Sequence, residues 1–147
     1  MTLDAEVQSL RAVPMFAGID PARLKLLAFT GERIEFRAGQ RFFSQGDPSD
    51  AAYVILDGSA EIWLDTPNGP LKVADIGRGA LVGEMGILAD SPRSATVQAA
   101  GPTVALRLDK RIFLELLIQF PQMSIAVMRE LGKRLERTNA QLAARQS

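Results

Sequence analysis

The sequence predicts a mainly β fold, a closed antiparallel barrel or jelly roll with helices at both ends. Three observations point there. Between about Glu32 and Leu108 short apolar runs are punctuated by glycine, the rhythm of many short strands joined by tight turns. The segments on either side carry their apolar residues at helical spacing instead. The 147 residues include 47% apolar and 23% charged side chains, ordinary proportions for one compact domain with its own core.

The elements follow in chain order. Residues 1–30 form a helical lead-in, interrupted by Pro14 and by the Gly18-Ile19-Asp20-Pro21 turn. Asp20 before Pro21 reads as an N-cap with proline at the first helical position, and Leu24, Leu27 and Ala28 then share a face. Residues 31–108 form the β-barrel. Ile34-Glu35-Phe36 alternates, while Ala38-Gly39-Gln40 and Gln45-Gly46-Asp47-Pro48 turn the chain. Tyr53 to Leu56 is a buried strand, Asp57-Gly58 a tight turn, and Ala60 to Leu64 the expected return partner of a hairpin. Thr66 to Pro70 turns again before Leu71 to Ile76. Ala95 to Gln98 and Thr103 to Leu108 supply the last strands, split by Gly101-Pro102.

Residues 109–147 return to helix. Asp109 caps the run Arg111 to Gln119, and Pro121 opens a longer helix. There Met128, Leu131, Leu135, Thr138 and Leu142 recur at alternating steps of three and four residues. That is a heptad seam, and it predicts a homodimer through the C-terminal helix. Basic residues (Arg129, Lys133, Arg134, Arg137, Arg145) outnumber Glu130 and Glu136, a bias that also suits a plain solvated face. No repeat or linker divides the chain, so residues 1–147 are expected to be one domain.

Composition narrows the chemistry. Lys plus Arg (17) cancels Asp plus Glu (17), so no net charge recruits nucleic acid or an anionic membrane. The chain has neither cysteine nor histidine. Thiol nucleophiles, thiolate or imidazole metal sites and imidazole acid–base catalysis are therefore excluded. No catalytic residue, metal or cofactor is expected, and a metal-dependent jelly-roll enzyme lacks its usual ligands. The N-terminus lacks the pattern of a secretory signal. The longest apolar run, Ile112 to Phe120, is broken by Glu115 and Gln119 and falls far short of the ~20 residues of a membrane span. A soluble cytoplasmic protein is expected.

The informative run is Gly83 to Val97, GEMGILADSPRSATV. Glycine lets backbone approach a ligand closely, and Gly86 to Ala89 can form a short helical turn with free amides. Ser91-Pro92 then turns the chain so that Arg93, Ser94 and Ala95 converge on Glu84. A guanidinium with backbone N–H groups suits a phosphate, and a carboxylate beside it suits a vicinal hydroxyl of a ribose. Residue by residue, a glutamate or an arginine at a turn is as well explained by simple solvation.

As a whole, the run resembles the phosphate-binding cassette of the cyclic nucleotide-binding domain family. The family's Gly-Glu, apolar pair, short helix and Arg-small-Ala-β-branched strand correspond to Gly83-Glu84, Met85-Gly86, Ile87-Leu88-Ala89 and Arg93-Ser94-Ala95-Thr96-Val97. Gly39, Gly46-Asp47 and Gly58 match as well, and the resemblance extends from about Ala12 to Ala143. It implies a double-stranded β-helix, with Arg93 on the exocyclic phosphate oxygens and Glu84 on the ribose 2′-hydroxyl. Gly83, Met85, Ser94 and Ala95 of the cassette would complete the cage. In members of the catabolite activator type the long helix pairs across a dimer and a hydroxyl pair on it reads the purine. Here Thr138 and Asn139 fall on those positions, Asn standing where the family has serine. A polar seam residue that fixes helix register is the other reading of Thr138.

The resemblance thus implies a stand-alone sensor for cAMP, with cGMP as the second candidate ligand. It would signal to an unknown effector protein by rearranging its terminal helices. Direct DNA binding is not expected, because no recognition helix follows before Ser147. The alternative is a degenerate barrel, or one that takes cGMP or a cyclic dinucleotide, acting as a protein-interaction module.

Overall fold

The computed structural model describes residues 3–146. Within that span the side chains of Leu3, Met15, Glu130, Arg134, Thr138, Arg145 and Gln146 lie outside the description. The chain opens with α1 (Leu3–Arg11), a 3₁₀ turn (Pro14–Phe16) and α2 (Pro21–Thr30). The strands are β1 (Glu32–Phe36), β2 (Arg41–Phe43), β3 (Ala51–Asp57), β4 (Ser59–Thr66), β5 (Gly69–Gly77), β6 (Leu81–Val82), β7 (Thr96–Ala99) and β8 (Thr103–Asp109). A short α3 (Glu84–Leu88) separates β6 from β7, and α4 (Lys110–Gln119) and α5 (Pro121–Gln146) close the chain.

Local sequence accounts for both predicted caps. The Asp20 carboxylate accepts from Arg23 N at 3.1 Å, and Leu24, Leu27 and Ala28 are the buried face of α2. The Asp109 carboxylate accepts from Ile112 N at 2.9 Å and starts α4 at the end of β8.

The strands form two antiparallel four-stranded sheets in the orders β1-β8-β3-β6 and β2-β7-β4-β5. This is a jelly-roll architecture of two sheets rather than one continuous closed sheet. Between them lies a core that includes Phe36, Phe42, Tyr53, Ile55, Val97 and Ala105. A second core packs the outer face of the first sheet (Val54, Leu56, Leu106, Leu108) against Leu10, Phe16, Leu24, Leu27 and Met123. β3 is thus covered on both faces, which is why its sequence is a continuous apolar run rather than an alternation.

The expected hairpin at Asp57-Gly58 does not form. β3 pairs with β6 and β8, whereas β4 pairs with β5 and β7. Gly58 is where the chain leaves one sheet for the other. Its φ is +93°, and a Cβ there would stand 2.6 Å from Pro102 O and 2.6 Å from Thr103 Oγ1. β2 follows Gly39, where the family resemblance implies a strand, whereas β6, at two residues, is too short to show a period in the sequence.

α5 divides along its length. Met123 and Val127 in its first turns are buried, while Met128, Leu135 and Leu142 of the predicted seam are 61%, 62% and 50% exposed. Among the described residues no single helix is long and apolar enough to cross a membrane.

Candidate phosphate-binding site

The predicted run folds as a β-strand end, a short helix and a return strand wrapped around one cavity. β6 is followed by Gly83, whose φ of +89° turns the chain into α3. A Cβ on Gly83 would lie 2.6 Å from Arg93 Nη1, 3.1 Å from Ala51 O and 3.2 Å from Phe43 Cε2, so the position is closed to any side chain. The loop between β2 and β3 is fastened to the cassette. Arg93 N donates to Asp47 O and Gly46 N donates to Arg93 O, both at 2.8 Å. Gln45 N donates to Thr96 Oγ1 at 2.9 Å, and Ser49 Oγ to Ser91 O at 2.6 Å.

Arg93 is the centre of this arrangement. Its side chain is only 2% exposed. Nη1 donates to Gly83 O at 2.7 Å, and Nη2 donates to Ala51 O at 2.6 Å and to Asp50 Oδ1 at 3.4 Å. The ring of Phe43 lies against the guanidinium, with Cζ 3.9 Å from the ring centroid. Nε is buried and has no hydrogen-bond partner. Burial lowers the Arg93 pKa from the ordinary arginine value, and the nearby Asp50 opposes that shift. The residue stays charged. The buried cation thus keeps one donor unused, and leaving such a donor unmatched costs about 1–3 kcal/mol.

The cavity has a volume of about 220 Å³. Gly83, Glu84, Met85, Arg93, Ser94 and Ala95, all candidates from the sequence, line it. Ile62, Ile76, Leu81, Val82, Val97 and Phe43 supply an apolar wall. Glu84, the first residue of α3, is buried. The lining therefore combines a guanidinium and a carboxylate with an apolar surface. Among the described residues no three carboxylates gather closely enough to hold a metal ion.

One candidate stands apart. Asn139 is exposed on α5 and is not among the residues around the cavity. The Thr138 side chain lies outside the described residues. In the other direction, sequence reasoning missed Asp50, Phe43, Ile62 and Ile76. Asp50 and Ala51, which hold Arg93, precede it by 43 and 42 positions. The one signal nearby was the Gly46-Asp47 turn, which fastens the loop that carries Asp50.

Comparison with known proteins agrees with the geometry. The family model of the cyclic nucleotide-binding domain matches residues 33–120, and the chain belongs to that family. It is 28% identical over 130 residues to the CRP-like cAMP-activated global transcriptional regulator of Mycobacterium tuberculosis, covering 88% of this chain and 58% of the regulator. It is 31% identical over 132 residues to Acetyltransferase Pat of Mycolicibacterium smegmatis, covering 90% of this chain and 39% of that protein. Among solved structures, the Thermus thermophilus Catabolite Activator Protein superposes with a TM-score of 0.80 at 28% identity, over 88% of this chain and 61% of that one. The chain thus spans less than two-thirds of each of these proteins.

Proposed function

We propose that this domain is a cyclic nucleotide sensor that prefers cAMP and has a binding rather than a catalytic role. The observation that carries the reading is the buried Arg93 guanidinium, with its unpartnered Nε, in the same cavity wall as Glu84. Arg93 would take the exocyclic phosphate oxygens and Glu84 the ribose 2′-hydroxyl. Gly83, Met85, Ser94 and Ala95 would close around them. A volume of about 220 Å³ is smaller than the ~300 Å³ at which pockets for drug-sized ligands begin. It suits the sugar phosphate of one nucleotide better than a cyclic dinucleotide. The names of the relatives, a cAMP-activated regulator and a catabolite activator, favour the same ligand class.

Once the terminal helices rearrange, the base would meet Thr138 and Asn139, whose oxygens accept from the exocyclic amine of adenine. In this reading the exposed seam of α5 pairs with a second copy, and ligand binding shifts the arrangement of the terminal helices toward the one with better contacts. An effector protein reads that change. Calorimetry with cAMP, cGMP, 5′-AMP and a cyclic dinucleotide tests the proposal. cAMP should bind ten- to a hundredfold more tightly than cGMP, about 1.4–2.8 kcal/mol. Equal binding of 5′-AMP, or no binding of any cyclic nucleotide, would overturn it.

A further inference from the structure

The hydrogen bonds of Arg93 all lie in the plane of its guanidinium, because that is where the N–H donors point. They leave the faces of the group to packing. One face meets the Phe43 ring, with Cζ 3.9 Å from the centroid. Close by is Gly83, where even a Cβ would crowd both Arg93 Nη1 and Phe43 Cε2. Phe43 reaches this place through an irregularity in β2. Arg41 pairs with Gln98 and Phe43 with Val97, so the strand carries an extra residue at Phe42. A bulge of this kind re-aims a side chain, and bulges recur beside functional sites. Both phenylalanines consequently turn inward. Phe42 stacks on Phe36 in the core at 4.0 Å, while Phe43 lines the cavity and leans on Tyr53 at 6.1 Å.

We propose that Phe43 is a positioning residue: its ring, re-aimed by the β2 bulge, holds the Arg93 guanidinium beside Gly83 and so sets the affinity of the cavity for a phosphate. An arginine side chain has many rotamers, and one locked before binding loses less freedom when the anion arrives. The ring adds attraction for the cation that an aliphatic side chain lacks. The affinity part of this proposal rests on the reading of the cavity as a cyclic nucleotide site; the positioning part does not.

The test uses the full chain and three variants: Phe43→Leu, which keeps an apolar wall, Phe43→Tyr, which keeps the ring, and Arg93→Lys. The first readout needs no ligand. The Arg93 Nε–H resonance in the wild type and in Phe43→Tyr should be shifted by the ring and exchange slowly. In Phe43→Leu it should lose the shift and exchange faster. The same shift and exchange in wild type and Phe43→Leu overturn the proposal. The second readout is cAMP affinity. Phe43→Leu should weaken it about five- to thirtyfold, or about 1–2 kcal/mol, and Phe43→Tyr should stay within about threefold of wild type. In the Arg93→Lys background the Phe43→Leu loss should shrink to less than about threefold, since the planar partner is gone. An equal loss in both backgrounds means that Phe43 acts on the ligand directly, and the proposal falls. If the resonance behaves as expected but no cyclic nucleotide binds the wild type, the functional reading fails while the positioning role stands.

Discussion

Asp50 Oδ1 stands 3.4 Å from Arg93 Nη2, although the Asp50 side chain is 65% exposed and that of Arg93 only 2%. A carboxylate at the surface is thus the charge partner of a cation in the interior. The other Asp50 oxygen lies 3.4 Å from Arg107 Nη2, so the same side chain links β3, β8 and the cassette. Solvent screens the pair on the Asp50 side only, and the two backbone carbonyls on Arg93 share the work of keeping it buried.

Replacing the carboxylate should therefore destabilise the domain modestly. Asp50→Asn is expected to lower stability by about 1–2 kcal/mol, between the values for exposed and for fully buried pairs. Urea unfolding should show a lower midpoint at unchanged slope. An unchanged midpoint would mean that the carbonyls alone hold Arg93.

Arg93→Ala should cost about 2–5 kcal/mol of cAMP binding, because the phosphate would be desolvated without its partner. Arg93→Lys should recover only part of it, since a point charge cannot form the planar paired bonds. Calorimetry has to be run where both variants are folded, because truncation also leaves Gly83 O and Ala51 O without their donor.

At Gly83 two penalties coincide, a left-handed backbone and the 2.6 Å approach to Arg93 Nη1. Gly83→Ala should lose both stability and ligand affinity. Gly39 has a similar φ of +79° with nothing within 4 Å, so Gly39→Ala should lose only about 1–2 kcal/mol of stability and no affinity. Comparing melting curves and titrations of the two separates strain from crowding.

Glu84→Ala should lose about 1–3 kcal/mol of cAMP binding through the missing hydrogen bond to the ribose. The 2′-deoxy analogue should then bind wild type and variant about equally. A variant that still prefers the 2′-hydroxyl would remove Glu84 from that role.

Leu135 is 62% exposed, so a charge there has little to disturb within one chain. Leu135→Glu should leave the melting curve of the monomer nearly unchanged and yet abolish dimers in sedimentation. A wild type that sediments as a monomer with and without cAMP would show that the seam has another partner.

What could be read in advance was whatever depends on near neighbours. Asp20 and Asp109 cap their helices because an N-cap bond spans three residues, and the chain announces it locally. The cassette was legible for the same reason: Gly83, Glu84, Met85, Arg93, Ser94 and Ala95 sit in one continuous run, and that run folds around one cavity. The solid apolar run of β3 also announced burial, though not which residues would cover each face.

Tertiary structure decided the rest. Asp57 and Ser59 flank a single glycine, yet their strands belong to different sheets, because the choice rests on how β8 and β7 return from far along the chain. Nothing in the cassette named Asp50, Ala51 or Phe43, although these three hold its arginine. A bulge of one residue turned Phe43 inward where plain alternation would have turned it out. The sequence by itself determined which groups the cassette brings to the cavity, since their chemistry travels with the residue type. Which of those groups is buried, partnered and held still was decided only by packing, because desolvation and contact depend on segments that meet in space and not along the chain.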